Sequence, residues 1–296
     1  MSVYSQISHN RWKTYLIMAI FVFLFSGFFY LIGIYFESPN SYLFLGLLIS
    51  IISSFGSYFY SDKIVLWTAG AVPASKKKYF DFYTAVENLS IATGLPMPRL
   101  FVIEDPAPNA FATGRDPKHA VVCATTGLLE RLDRSDIEGV ISHELSHIKN
   151  YDILLSSIVA VLVGTIALIA DWTMRSFWWR GRDRDRDSRN PIFFLLFIFV
   201  LILTPIVATL IQLAISRRRE FLADASGVLI TRNPNGLADA LEKISGYQHP
   251  MQKASPSIAH LFISNPLKKR NISSTFANLF STHPPVEERI KILRSM

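Results

Sequence analysis

Residues 135–152 read Ser-Asp-Ile-Glu-Gly-Val-Ile-Ser-His-Glu-Leu-Ser-His-Ile-Lys-Asn-Tyr-Asp. Ile137, Val140, Ile141, Leu145 and Ile148 recur at mostly helical spacing, which points one apolar stripe toward a core. Ser135 followed by Glu138 has the S-x-x-E form of a capping box. The spacing predicts a helix from Ser135 through Asn150. His143 and His147 stand four apart on it, one turn from each other on the same face. Both imidazoles can therefore reach one zinc ion. Glu144, beside the first histidine, can approach a water in the metal's open position and accept its proton. With seven histidines in 296 residues, chance supplies this H-E-x-x-H pattern roughly 0.006 times.

A catalytic zinc takes a third protein ligand. His119, His249, His260, His283 and several carboxylates are open to that role. Glu220 and Asp224 stand out among them, again four apart, on a helix expected to continue from an apolar run. Read alone, that pair is a solvated helix face beside Arg217 and Arg218. Next to an H-E-x-x-H helix, one carboxylate can bind metal while the other accepts a hydrogen bond from a ligating histidine and fixes its tautomer.

Moving outward, apolar residues gather in four runs: Tyr15–Phe36, Ser41–Tyr60, Ile153–Ala170 and Pro191–Ile215. About 20 apolar residues span a bilayer as a helix, so the chain reads as two membrane hairpins. Pro205 predicts a kink in the last run, which membrane helices tolerate. The first run is too long for a signal peptide, and no small-residue cleavage site follows before Glu37. Arg11, Lys13, Lys63, Lys76, Lys77, Lys78, Lys149 and Arg217–Arg219 gather on one face of this topology, which the positive-inside rule makes cytoplasmic. Arg175, Arg180, Arg182, Arg184, Arg186 and Arg189 lie on the other, in a connection that reads as a solvated loop. Ten against six favours an inside N-terminus, but six arginines on the opposite face leave room for the third and fourth runs to dip into the bilayer without crossing it.

The expected organisation is a transmembrane hairpin (1–60), a first catalytic part carrying the H-E-x-x-H helix (61–152), a second hairpin (153–215) and a second catalytic part (216–296). Because the candidate ligands lie in both polar parts, these must meet. The fold class is a mainly α integral membrane protein with a cytoplasmic α+β zincin-like domain and a small β-sheet. Within the first polar part, Tyr79–Thr93 reads as a helix closed by Gly94-Leu95-Pro96, with short strands over Arg99–Ile103 and His119–Ala124. His9, His249 and His260 read as surface or loop residues.

Composition excludes several classes. Half of the residues are hydrophobic and 18% are charged, which rules out disorder, and a single cysteine, Cys123, rules out a disulfide scaffold. The net charge of +7 suits an anionic membrane surface better than nucleic acid, since its basic clusters flank the apolar runs. No Gly-rich phosphate loop is present. A transporter would place charges inside the runs, and they carry none. A zinc-binding adaptor without hydrolytic activity is the remaining alternative, but it would not need Glu144.

The segment from Ser142 to Asp152 resembles the active-site signature of the HtpX membrane metalloproteases, gluzincins related to the CAAX prenyl endopeptidases. Three further segments match in the family's order: Asn109-Ala110-Phe111-Ala112, Glu220-Phe221-Leu222-Ala223-Asp224, and Ser281-Thr282-His283-Pro284-Pro285 ahead of Glu288-Arg289-Ile290. The resemblance implies one zinc ion per chain, held by His143, His147 and Glu220, with Glu144 as general base. It implies that Asp224 orients His143 and that Asn109, Ala110, Phe111 and Ala112 form an edge strand pairing with an extended polypeptide substrate. His283 would stabilise the oxyanion. It further implies an endopeptidase of the cell membrane that acts on misfolded or membrane-associated proteins in quality control under stress. Oligomeric state is not legible. Tyr151 departs from the pattern, which usually has glycine or another small residue there.

Overall fold

The structure is a computed structural model in which residues 3–180, 216–252, 254–267 and 284–296 are described. The fourth apolar run and His283 lie outside them.

The first two apolar runs form helices α1 (Val3–Tyr35) and α2 (Pro39–Ala69). Both are long and apolar enough to cross a membrane, over Ile7–Ile34 and Pro39–Ala69. Phe23, Phe44, Phe55 and Trp67 are exposed on them. The buried side of α2 is a row of small residues, Gly46, Ser50, Ser54, Ser57 and Ser61. Close approach depends on this: a Cβ on Gly46 would meet the Phe29 Cβ at 2.6 Å. Helix α2 outruns its apolar stretch, and Val65, Leu66 and Ala69 anchor its end among the sheet residues Ile103, Phe111, Val121 and Cys123.

A short strand β1 (Val72–Pro73) and helix α3 (Phe80–Thr93) follow. Gly94, at φ 68°, closes α3 in the left-handed conformation, as the Gly-Leu-Pro sequence leads one to expect. Strands β2 (Arg99–Ile103), β3 (Ala110–Thr113) and β4 (Val121–Thr125) complete a mixed sheet of order β1-β2-β4-β3. Strand β4 starts two residues later than expected, because Pro117–His119 is a turn of 3-10 helix. Strand β3 lies at the edge, antiparallel to β4, with Ala110 opposite Ala124 and Ala112 opposite Val122.

Two helices follow, α4 (Thr126–Arg131) and α5 (Arg134–Lys149). Helix α5 carries the H-E-x-x-H residues and begins one residue earlier than expected. Its cap is Asp133, not Ser135: the Asp133 carboxylate accepts the Asp136 N–H, and the Asp136 side chain accepts the Asp133 N–H. An aspartate does the work of the Ser-x-x-Glu box two residues upstream. The sequence after α5 turns sharply into α6 (Asp152–Arg180), bent from it by 85°. The third apolar run is thus helical and continues ten residues past Ala170, into the expected loop.

Tyr151 makes this bend with φ 59°, a conformation that costs an ordinary L-residue about 1 kcal/mol. Here the Tyr151 ring lies 5.0 Å below the Arg11 guanidinium of α1, an attraction of about 0.5–1 kcal/mol that offsets the strain. The first turns of α6 pack Leu154, Leu155, Ile158, Val159 and Leu162 against Ile17, Phe21, Phe25 and Phe28 of α1.

Three further helices, α7 (Arg217–Thr231), α8 (Pro234–Gly246) and α9 (Val286–Arg294), pack with α3, the sheet and α5 around one core. Glycines admit two of them to α5. A Cβ on Gly139 would sit 2.5 Å from the Leu237 N of α8, and one on Gly227 of α7 would sit 2.9 Å from the Ser142 Oγ. Among the described residues the architecture is mainly helical, with a small mixed sheet.

Candidate metal centre

Helix α5 buries His143 and Glu144 almost completely, at 1% and 3% exposure. Such burial demands partners. The close approach of α7 at Gly227 brings them, because Glu220 and Asp224 lie on the face of α7 turned to α5 and are themselves buried. One donor atom each from His143, His147 and Glu220 converge within 4.8 Å. The two Nε2 atoms are 3.2 Å apart, and Glu220 oxygens lie 3.8 Å from that of His143 and 3.5 Å from that of His147. Ligands bound tetrahedrally at about 2.05 Å are about 3.3 Å apart; the two Nε2 atoms match that spacing and the Glu220 oxygens stand somewhat farther off, so the three groups form a cluster that could hold a metal ion.

Each histidine turns its other nitrogen to a carboxylate. His143 Nδ1 is 2.8 Å from Asp224 Oδ1, and His147 Nδ1 is 3.0 Å from Asp152 Oδ2. These bonds select the tautomer that points the Nε2 lone pair at the metal position. Burial disfavours a charge on His147, but Asp152, Glu220 and Glu144 outweigh it and push its pKa up to about 9. Binding a cation there displaces a proton that these carboxylates would otherwise hold.

Arg289 of α9 is the counter-ion. It is 1% exposed, and its Nε and NH2 groups donate to the two Asp224 oxygens at 2.9 and 2.7 Å. Its NH1 lies 3.8 Å from Glu220. Burial pushes the Asp224 carboxyl up, yet Arg289 and His143 prevail and hold it below the usual range. Asp224 is therefore a carboxylate with a fixed bidentate partner, able to accept from His143 but too firmly held to wander to the metal.

Sequence reading brought together His143, Glu144, His147, Glu220 and Asp224, and the structure places all five around this point. It left Asp152 and Arg289 without roles. Arg289 had a signal: it lies on the inward stripe of α9 with Val286 and Leu293, where a charge needs a buried partner. Asp152 closes the segment that resembles the metalloprotease signature, five residues after His147, but only the fold shows which ring it holds. His260 corrects the surface reading: it is 3% exposed, its Nε2 donates to the Ser156 carbonyl at 3.1 Å, and it lines the cleft beside His143, His147 and Glu220.

The segment Asn109–Ala112 divides in two. Asn109 pins the loop after α8: its side chain donates to the Ser264 carbonyl at 2.8 Å and accepts the Ser264 N–H at 3.2 Å. Ala110 O accepts the Ile263 N–H at 2.9 Å. Phe111 packs into the core, edge-on to Phe262 at 4.9 Å. Antiparallel alternation turns the Ala112 backbone groups outward, as it does those of Ala110. Ala112 itself lines the cleft.

Comparisons with known proteins give the family. Residues 80–296 match the family described as Peptidase family M48. A "Protease HtpX homolog" of Tropheryma whipplei (strain Twist) is 47% identical over 294 residues, 99% of this chain and 98% of that protein. Another, of Caldanaerobacter subterraneus subsp. tengcongensis, is 45% identical over 300 residues, 100% of this chain and 98% of its own. The crystal structure of S. mikatae Ste24p shares the fold at a TM-score of 0.51 and 17% identity, covering 98% of this chain and 66% of that one. The chain belongs to peptidase family M48, in its HtpX group, and is a metalloprotease.

Proposed function

We propose that the chain is a zinc-dependent endopeptidase that works at the cytoplasmic membrane surface. His143, His147 and Glu220 would hold the ion, which would supply a Lewis acid and lower the pKa of a bound water. The convergence of these three donors on one point carries the reading. Glu144, buried on the turn between the histidines, would accept a proton from water and return it to the leaving amine. Asp224 and Asp152 hold the histidine rings in place, and Arg289 keeps Asp224 ionised. His283 would donate to the oxyanion. The outward backbone groups of Ala112, next to the pocket, would pair with an extended substrate, while Asn109, Ala110 and Phe111 build the strand that presents them.

Polar parts 61–152 and 216–296 act as one catalytic unit in this reading, since α5, α7 and α9 each contribute to the centre. The ten basic residues that flank the apolar runs on the side of α5 and α7 support a cytoplasmic position for that unit. Helix α6 leaves the centre directly along α1, so the site lies close to the apolar hairpin. Such a position suits membrane-anchored or misfolded membrane polypeptides, and membrane-protein quality control under stress is the role we assign. The test is a Glu144→Gln variant, purified in detergent beside wild type and given an unfolded protein. Cleavage should fall about 100- to 10,000-fold with zinc still bound; equal cleavage would refute the mechanism.

A further inference from the structure

We propose that Asn10, on the first membrane helix, is a positioning residue of the metal centre. It stands 142 residues before Asp152 in the sequence, yet its Nδ2 donates to Asp152 Oδ1 at 2.7 Å and to the Asn150 carbonyl at 3.0 Å. The other oxygen of the same carboxylate accepts from His147. Asn10 is 3% exposed and Asp152 6%, so water does not compete for these bonds. Arg219 NH1, from the helix that bears Glu220, lies 3.3 Å from Asp152 Oδ1 and 3.4 Å from Asn10 Oδ1. The turn of α1 that supplies Asn10 also supplies Arg11, whose guanidinium covers Tyr151. Together they clamp the elbow 150–152 from both sides of the strained residue.

A carboxylate has two oxygens and can rotate. If only His147 and Arg219 held it, Asp152 could turn toward the arginine and release the imidazole. Asn10 removes that freedom: it bonds the oxygen that His147 does not use and ties it to the backbone of the elbow. The His147 ring then stays with Nε2 toward the metal position. The order of action runs from α1 through Asp152 to His147, so seating of the first membrane helix sets metal affinity. A buried amide on an apolar helix would otherwise be a liability, since a leucine there would pack at no desolvation cost.

This inference rests on the zinc reading above, and the test separates the two. Full-length protein in detergent is titrated with zinc against a chromophoric chelator, for wild type, Asn10→Leu, Asp152→Ala and the double variant. Outer partners of metal ligands are worth about 10- to 100-fold in affinity. Asn10→Leu should weaken zinc about tenfold, and in the Asp152→Ala background it should weaken it no further. Ile17→Ala, one α1 residue packed on α6 without a polar contact, should lower the melting temperature and leave zinc affinity within about twofold. Asn10→Ala carries the same expectation as Asn10→Leu and keeps the test readable if leucine is not accommodated. Unchanged affinity in the Asn10 variants overturns the proposal, as does a loss that adds fully to that of Asp152→Ala. Wild type that binds no zinc overturns the metal reading itself.

Discussion

The metal centre and the α1–α2 hairpin both bury polar side chains, but they satisfy them in opposite ways. In the hairpin the bonds are mostly local. Ser50 donates to the Leu47 carbonyl, Ser57 to that of Ser54 and Thr14 to that of Asn10, three or four residues back on the same helix. In the centre the bonds are distant and charged: Arg289 grips Asp224 65 residues away, and Asp224 holds His143 of another helix. Local bonds leave helix association to packing of small residues, as at Gly46, and tolerate the loss of any one hydroxyl. Distant charged bonds admit a single arrangement, and removing one partner strands the other. Asn10 is where the two regions meet.

The sharpest way to break this contrast is Arg289→Met, which leaves Asp224 and Glu220 buried without their counter-ion. It should cost about 3–5 kcal/mol, read as a large fall in thermal unfolding temperature in detergent, with weaker zinc binding. A loss below about 1 kcal/mol would mean that the centre tolerates missing partners as the hairpin does. Gly227→Ala probes the same centre through shape alone. Its Cβ would press on Ser142 and on the His143 N at 3.2 Å, at a cost of about 1–3 kcal/mol. Because α7 bears both Glu220 and Asp224, zinc affinity should drop with stability. Ser54→Ala is the hairpin's counterpart. Among the described residues the Ser54 hydroxyl is buried without a hydrogen-bond partner, so its removal should leave stability unchanged or raise it by up to about 1 kcal/mol. A clear destabilisation would show that hairpin hydroxyls also fix structure.

The same contrast explains how much the amino-acid sequence reveals. Helix α5, its histidines and the Glu220–Asp224 pair are legible because their signals are local: an apolar stripe and spacings of four. Helices α1 and α2 are legible by length and composition. The cap of α5 misleads by two residues because Ser135 and Glu138 match the box formally while Asp133 and Asp136 make it. Asp152, Arg289 and Asn10 escape because their meaning lies in partners that only the folded chain brings near. His260 escapes for the same reason, since the packing of its own loop against α6 is not written in its neighbours. Tyr151 stands out in the sequence, but its left-handed backbone and the arginine above it belong to the structure.

The account stands most directly on metal content measured together with activity. Protein purified in detergent should hold one zinc ion per chain. It should cleave an unfolded protein, lose that activity to a chelator and regain it with added zinc. Glu220→Gln should lower the bound zinc, whereas Glu144→Gln should keep it. A wild-type chain that binds no zinc and shows no chelator-sensitive cleavage would contradict the assignment of His143, His147 and Glu220.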